Sequence, residues 1–274
     1  MRLLWSLWSL CACAGALQLP SYISPCSYDD PELNSCALTE AKKAITSVVS
    51  GDRKYNIPKL EPLLIEELKV DQDSAGSAVG FSFVARNCTM WGLSGVQVLA
   101  VRCVQAAIST SRRLCVSSLW LSPQVLDLKR RHIEYDLEFP RLEIQADYTA
   151  NGRILLLPIT GKGTTNITIT NAKAVYRFNY TLDKREDGEY MVIADHKLEA
   201  TVRGRAFIHL DNLFNGEQVL ADNINTVLND NWQDVVRDVG PAIADALGEL
   251  IKLVLGGMFG VVSMQNAFAG YPRA

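Results

Sequence analysis

The feature that most constrains the fold is a long amphipathic segment from Asn215 to Leu255. Its apolar residues recur at intervals of three and four, the spacing of one face of an α-helix. About forty helical residues, at roughly 1.5 Å each, extend over roughly 60 Å, which exceeds the diameter of a small domain. Gly240-Pro241 predicts a kink or a pause, because proline lacks an N–H and clashes with the preceding turn. A helix of this length needs an equally long apolar surface to pack against.

The middle of the chain supplies such a surface as long strands. The segment from His132 to Phe139 alternates strictly between the two faces, and the pattern resumes from Leu142 to Tyr148. Two later segments, from Ala172 to Leu182 and from Tyr190 to Val202, each keep one apolar face, with a turn at Asp187-Gly188. Antiparallel strands of this kind bury one face and expose the other. We therefore expect an α+β fold in which a strongly curved antiparallel sheet has one apolar concave surface and the long C-terminal helix packs against that surface.

The first residues have the pattern of a secretory signal peptide. Arg2 precedes an apolar run from Leu3 to Ala14, and Ala14-Gly15-Ala16 is a small-residue cleavage site. The alternative is a membrane anchor, but the run is shorter than the ~20 residues that span a bilayer. We expect a signal peptide over residues 1–16, a single domain over residues 17–274, and a secreted, extracellular protein.

An oxidising compartment makes the cysteines candidates for disulfide bonds. Of the seven cysteines, Cys11 and Cys13 fall in the signal peptide, which leaves five. Cys26 and Cys36 lie close together and lead into a predicted helix from Leu33 to Val49, so we expect them to be bonded. Because five is odd, at least one other cysteine is unpaired or bonds outside the chain.

Three N-x-[ST] sequons predict glycosylation of a secreted chain, at Asn87, Asn166 and Asn179. An attached glycan requires each side chain to face solvent. The alternation of the strand from Ala172 to Leu182 places Asn179 on its polar face, in agreement with this requirement.

The sequence offers little for catalysis or metal binding. It contains no G-x-S-x-G, H-E-x-x-H, C-x-x-C or P-loop motif. None of His132, His196 and His209 is paired with cysteine or histidine at metal-ligand spacing. Basic and acidic residues number 27 and 30, so no positive excess suggests a nucleic-acid partner. We expect a non-enzymatic protein without a cofactor or a metal.

Short motifs, in order along the mature chain, carry a resemblance to a known family. They are Asp30-Pro31-Glu32-Leu33-Asn34 between the first two mature cysteines, Gly92-Leu93-Ser94, Phe139-Pro140-Arg141-Leu142, Ala146-Asp147-Tyr148, the run from Asn151 to Ile159, Asn212-Leu213-Phe214-Asn215-Gly216, Leu228-Asn229-Asp230-Asn231-Trp232 and Pro241-Ala242-Ile243. In these motifs the chain resembles the insect juvenile hormone-binding protein and takeout family. That family includes members linked to circadian rhythm and feeding.

The resemblance implies that a highly curved antiparallel sheet wraps the long C-terminal helix and that the two enclose an elongated apolar tunnel. It also implies a carrier of small hydrophobic ligands, such as a juvenile-hormone-like terpenoid or a fatty-acid-like molecule, with no stable membrane insertion. The apolar faces of the strands and of the helix point at one another and define the wall. The expected ligand-binding residues are Tyr135, Leu137, Phe139, Ile144, Tyr176, Phe178, Val192, Ala194, His196, Leu198, Ile224 and Leu228. For His196 two interpretations stay open: a core histidine with satisfied hydrogen bonds, or a donor to an ester or epoxide oxygen of the ligand.

Two segments depart from the family pattern. Residues 103–124 interrupt what the family keeps as a short connection, without strand alternation, and contain Cys103 and Cys115. Either this atypical insertion is an exposed loop closed by a Cys103–Cys115 bond, or it is an untranslated segment misread into the protein. The end of the chain, from Gly256 to Ala274, is rich in glycine where the family usually continues its helix into a polar tail.

Two other classes of function serve as alternatives. A secreted lipid- or ester-acting enzyme needs a nucleophile paired with a histidine, and the sequence shows no such pair. A membrane-active lipid-binding protein would use the apolar C-terminus and bind liposomes, which a carrier does not require.

Overall fold

The computed structural model describes residues 16–72, 81–102, 131–154 and 157–272. The predicted signal peptide, apart from Ala16, lies outside these ranges. The predicted insertion, with Cys103 and Cys115, also lies outside them.

A large antiparallel sheet dominates the described part of the chain. Its strands are β2 (Leu63–Gln72), β3 (Phe81–Trp91), β4 (Gln97–Arg102), β5 (His132–Ile154), β6 (Leu157–Arg185), β7 (Gly188–Val202) and β8 (Ala206–Leu210). β2, β3, β5, β6 and β7 are neighbours in that order. β4 pairs with the first half of β5, and β8 pairs with the first half of β6, so each of these two long strands has two partners along one edge.

The alternation of β5 and β6 builds the inner face of the sheet. Tyr135 lies opposite Tyr176, and Leu137 lies opposite Ala174. These inward positions are apolar or aromatic and largely buried, whereas Glu138 opposite Lys173 belongs to the charged outer face. The strict period of two in the sequence therefore produces one apolar face, as expected.

The helices are α1 (Leu33–Ser50), α2 (Gln218–Asp230), α3 (Trp232–Phe259) and the short α4 (Met264–Ala267). The prediction for α1 is confirmed to within one residue. Gly51, with φ of 83°, ends α1 and donates its N–H to the Val48 carbonyl at 3.0 Å. None of the helices in the described ranges is long and apolar enough to cross a membrane.

The long C-terminal helix is interrupted at Asn231, not at Gly240-Pro241. Asn231 has φ of −113° and ψ of 31°, and its side-chain amide donates to the Val227 carbonyl at 2.8 Å. Its own carbonyl accepts from Asp234 N–H at 3.1 Å, so Asn231 both ends α2 and begins α3. α3 continues through Pro241, which is exposed. Proline has no N–H to donate to the carbonyl four residues earlier, but at this exposed position water can hydrate that carbonyl instead.

α3 lies across the inner, apolar face of the sheet. The helix packs along β7 and also contacts β2 and β8, which lie in distant parts of the sheet. Its buried residues, Val235, Ala244, Leu247, Gly248 and Val254, follow the predicted apolar stripe. The expectation of a large antiparallel sheet with a long C-terminal helix is therefore confirmed.

Two asparagines of α2 cover the outer edge of β8. The side-chain amide of Asn225 accepts from Leu210 N–H and donates to the Leu210 carbonyl, both at 3.0 Å. Asn229, one turn later, makes the same pair of bonds with Ile208, at 3.0 and 2.6 Å. Each amide therefore takes the place of a neighbouring strand and satisfies backbone groups that an edge strand leaves unpaired.

The two ends of the described chain are bound to each other. The predicted Cys26–Cys36 disulfide is confirmed, and it ties β1 (Cys26–Ser27) to α1. β1 pairs in parallel with β9 (Phe268–Ala269), and Leu17 N–H donates to the Val261 carbonyl at 3.0 Å. The glycine-rich C-terminal segment is therefore a folded part of the domain.

Two consecutive glycines of α3 allow a matched test of this packing. An added Cβ at Gly257 would lie 2.8 Å from the Tyr55 carbonyl oxygen and 2.9 Å from that of Asn56, whereas at Gly256 it would meet nothing within 4 Å. We expect Gly257→Ala to lower the free energy of unfolding by about 1–3 kcal/mol through overpacking. Gly256→Ala should raise it by about 0.5–1 kcal/mol, because alanine favours the helix.

Urea unfolding followed by circular dichroism measures both changes. Equal effects of the two substitutions would show that α3 does not press against residues 55 and 56.

Candidate functional site

The first candidate site is an apolar cavity of about 280 Å³, here called the α1 cavity. It lies between α1, the strands β4 and β5, the C-terminal half of α3 and the C-terminal segment. The wall includes Ala41 of α1, Val98 of β4, Leu137 of β5, Leu250 of α3 and Phe268. Such a space, lined by aliphatic and aromatic side chains, suits a ligand that gains free energy by leaving water.

A few oxygens interrupt the apolar wall of the α1 cavity. Among the described residues that line it, Ser24, Glu40 and Tyr135 have side-chain oxygen atoms. Glu40 is only 8% exposed, yet its carboxylate accepts from Ser24 N–H at 2.8 Å and from Lys43 Nζ at 2.6 Å. The Lys43 bond and then the Ser24 bond lower the pKa of Glu40, so this carboxylate stays ionised at neutral pH.

The second candidate site is a larger cavity of about 620 Å³, here called the β8 cavity. Apolar residues of β6, β7, β8 and the N-terminal half of α3 form most of its wall. Its polar lining residues are Lys197, Glu199 and Thr201 of β7 and Gln233, Arg237 and Asp245 of α3. All of these are exposed, so the β8 cavity reaches solvent between β7 and α3.

The two cavities abut. Phe139 of β5 and Leu247 of α3 line both of them, and each is buried, at 5% and 7% exposure. The apolar interior between sheet and helix is thus divided into two spaces at this point.

The structure brings some of the expected ligand-binding residues to these cavities. Tyr135 and Leu137 line the α1 cavity, Leu198 and Leu228 line the β8 cavity, and Phe139 lines both. Others are buried in the packed core and line neither cavity: Ile144, Tyr176, Phe178 and Ile224.

Two of the expected residues, Val192 and Ala194, are exposed to solvent and do not face α3. Ile193 pairs with Tyr180 and Asp195 pairs with Asn179, so Ala194 is an extra residue in a β-bulge. The bulge reverses the alternation: Met191 and Ile193 are buried before it, whereas Val192 is 42% exposed and Ala194 is also exposed. The prediction that these two line the site is wrong, because it assumed an unbroken period of two from Tyr190 onward.

His196 lies in the contact between β7 and α3, outside the lining of either cavity. Its Nε2 is 3.1 Å from Glu249 Oε1, and this contact is the main cause that lowers the pKa of Glu249. Its ring is 5.7 Å from that of Tyr176, and both His196 Nδ1 and the Tyr176 hydroxyl are buried without a hydrogen-bond partner. Burial, with Glu249 and Tyr135 nearby, raises the pKa of Tyr176, which stays a neutral phenol. Its position between sheet and helix agrees with a core histidine, but the hydrogen bonds of the ring are only half satisfied, because Nδ1 has no partner.

The amino-acid sequence places the chain in a family of known proteins. The family described as haemolymph juvenile hormone binding protein (JHBP) matches residues 5–107 and 124–269. The chain belongs to the haemolymph juvenile hormone binding protein family. The two matched ranges leave residues 108–123, within the predicted insertion, unmatched.

Individual relatives match this JHBP-family chain over most of its length. It is 24% identical to the circadian clock-controlled protein daywake of Drosophila melanogaster over 262 residues, 95% of this chain and 92% of the relative. It is also 24% identical to daywake of Drosophila yakuba, over 91% and 88% of the two chains. The crystal structure of Epiphyas postvittana Takeout 1 matches with a TM-score of 0.74 at 23% identity, over 90% of this chain and all of that one. The last match shows that the fold is shared.

Family motifs alone did not point to several lining residues. On α1, the apolar face that the sequence shows becomes the wall of the α1 cavity at Ala37, Ala41, Ala44, Ile45 and Val48. Helical periodicity could have found these, since it separates this face from the polar one. Leu19, Ile23 and Phe268 lie in irregular or very short segments, where no periodic signal exists. Trp232 lines the β8 cavity at the start of α3.

All three predicted glycosylation sites are exposed, as an attached glycan requires. The side-chain amide of Asn87 donates to Asp147 at 2.7 Å, and that of Asn179 donates to Asp195 at 2.7 Å. In the described ranges, no three or more residues from His, Cys, Asp and Glu are grouped so as to hold a metal ion.

Glu40 allows a test of the electrostatics of the α1 cavity. Its folded-state pKa lies below the ordinary value of 4.5, so its contribution to stability is present above that value and is lost as the pH falls through the lower folded value. We expect Glu40→Gln to lower the free energy of unfolding by about 1 kcal/mol at neutral pH. The deficit should shrink as the pH is lowered below ~4.5, because wild-type Glu40 then also becomes neutral.

Urea unfolding at several pH values measures this difference. Glu66→Gln, at an exposed position of β2, is the control and should change little at any pH. A deficit that grows as the pH falls would contradict the ionised state of Glu40.

Proposed function

We propose that this protein is a secreted carrier that holds one small, largely apolar ligand between its sheet and α3. The observation that supports the proposal most is the α1 cavity, whose wall is almost wholly apolar apart from Ser24, Glu40 and Tyr135. Membership of a family of binding proteins supports the same function. Neither cavity combines a nucleophile with a histidine, since His132, His196 and His209 are absent from both linings.

Transfer of the ligand out of water supplies the binding free energy. Burying roughly 350 Å² of apolar ligand surface, at ~25 cal/mol per Å², corresponds to a gross gain of ~9 kcal/mol. The lost translational and rotational freedom of the ligand offsets part of that gain. The net affinity then falls in the micromolar to nanomolar range.

The polar atoms of the wall restrict the chemistry of the ligand. Among the described residues in the wall of the α1 cavity, Glu40 is the one acidic residue and is already paired with Lys43, so this wall offers no free cation to an ionised carboxylate head group, whose burial would be costly. A neutral molecule with a hydroxyl, ester or epoxide oxygen, such as a juvenile-hormone-like terpenoid, suits this cavity better than a fatty acid. A fatty-acid head group is better placed at the exposed rim of the β8 cavity, where it would compete with Glu199 for Lys197 and with Asp234 for Arg237.

Secretion is part of the same proposal. The Cys26–Cys36 disulfide is typical of extracellular proteins, and the three sequons lie on exposed positions of the surface. Expression of the full chain in insect cells should release a protein whose first residue is Leu17, as N-terminal sequencing would show. Retention of the protein in the membrane fraction with an intact N-terminus would contradict secretion.

The ligand itself can be identified directly. We expect an organic extract of the protein purified from its natural source to contain one dominant neutral lipophilic molecule, bound in a ratio near one to one, which mass spectrometry would detect. An empty protein that binds liposomes but takes up no terpenoid or fatty acid would instead support the membrane-active alternative.

Filling the α1 cavity with a larger side chain should weaken ligand binding. Ala41→Phe adds a ring to the wall of the α1 cavity and should reduce terpenoid binding at least about tenfold. The overpacking should cost only about 1–3 kcal/mol of stability, because the position borders an open space. Ala194→Phe is the matched control. Ala194 is exposed in the bulge of β7, so this variant protein should bind the ligand as the wild-type protein does.

Displacement of a fluorescent apolar probe measures binding, and thermal unfolding confirms that both variants are folded. Unchanged binding by a folded Ala41→Phe protein would show that the α1 cavity is not the ligand site.

A further inference from the structure

One residue of the sheet and one residue of α3 line both cavities, and each marks the place where its element passes from one cavity to the other. Along β5, Ile133, Tyr135 and Leu137 line the α1 cavity, whereas Leu142 lines the β8 cavity. Phe139 stands between them and lines both. The change from one cavity to the other along this strand therefore occurs at a single side chain.

The opposite wall shows the same change. Along α3, Ile243 and Ala244 line the β8 cavity, whereas Leu250, Ile251 and Val254 line the α1 cavity. Leu247 lies one turn from each group and lines both. Among the described residues, Phe139 and Leu247 are the ones that the two linings share.

We propose that Phe139 and Leu247 form a partition that sets the length of ligand this protein accepts. The proposal rests on the carrier function and adds its specificity. With the partition in place, a ligand occupies one cavity, and only the part of its chain that fits that cavity gains free energy by leaving water. Without it, the two cavities of about 280 and 620 Å³ become one continuous channel.

The length of α3 indicates how much longer a ligand could be without the partition. From Trp232 to Phe259, α3 borders first one cavity and then the other over roughly 40 Å of helix, at ~1.5 Å per residue. A continuous channel of that length would accept long extended chains, whereas each separate cavity borders only about half of it. Both partition side chains are buried and apolar, and it is their bulk that the proposal holds to separate the cavities.

A series of straight-chain primary alcohols, from octanol to eicosanol, tests this directly by competition with a fluorescent apolar probe. Each further methylene that enters a cavity should tighten binding about fourfold. For the wild-type protein we expect this gain in affinity to stop at the chain length that fills one cavity, and longer alcohols to bind no better. That chain length is here called the break. A gain that continues without a break to the longest alcohol would overturn the proposal.

Two variants open the partition from opposite sides. Leu247→Ala shortens the helix side, and Phe139→Leu shortens the strand side while it keeps a core-sized side chain. In each, the break should move to longer alcohols, and the longest should bind at least about tenfold more tightly than to the wild-type protein. If the break stays in place in both folded variants, the partition does not determine length.

The matched control is Leu250→Ala, on the same face of α3 one turn later. Leu250 lines the α1 cavity alone, so its truncation widens that cavity without joining the two. It should change the affinity for all lengths together and leave the break where it is. A shift of the break as large as that of Leu247→Ala would mean that added volume, not removal of a partition, sets the length.

The same measurements separate this inference from the carrier function. Binding of the alcohols without a break in the wild-type protein removes the partition and leaves the carrier function in place. Failure of the wild-type protein to bind any alcohol or the probe would remove both.

Discussion

The packing of α3 against the inner face of the sheet is the contact on which the rest of the structure depends. A helix is only about 10–12 Å across with its side chains, so it covers a strip of a broad sheet and leaves apolar surface on either side. The described strands form a sheet whose distant parts, β2, β7 and β8, all contact the same helix. The space that α3 cannot fill becomes the α1 cavity and the β8 cavity.

Two further parts of the chain close that space. α1 lies over one cavity, held by the Cys26–Cys36 disulfide and by the pairing of β1 with β9. α2 covers the edge of β8 through Asn225 and Asn229, so that polar side chains do there what a neighbouring strand does elsewhere. The site is thus built by the ends of the chain around a sheet formed by its middle.

The few polar groups near the cavities differ in whether they are hydrogen-bonded. Glu40 is ionised and satisfied, so it restricts which ligand heads can approach it. The Tyr176 hydroxyl and His196 Nδ1 are buried without partners, which is uncommon for polar groups in a protein interior, where nearly all are hydrogen-bonded. They lie at the contact of sheet and helix, where Gly248 of α3 is close to the His196 ring and to Leu198, the residue opposite Tyr176 on β7.

The sequence by itself determined the elements and their apolar faces, because periods of two and of 3.6 follow directly from strand and helix geometry. It predicted α1 to within one residue, the disulfide, and the helix opposite the long strands, and the family motifs agreed with these. It could not locate the bulge at Ala194, since one extra residue in β7 is fixed by pairing with β6 and not by the residues of β7 alone. Only the tertiary structure decided that Phe139 and Leu247, distant in sequence, both line the two cavities, because the volume left open depends on how sheet and helix pack and not on either element alone.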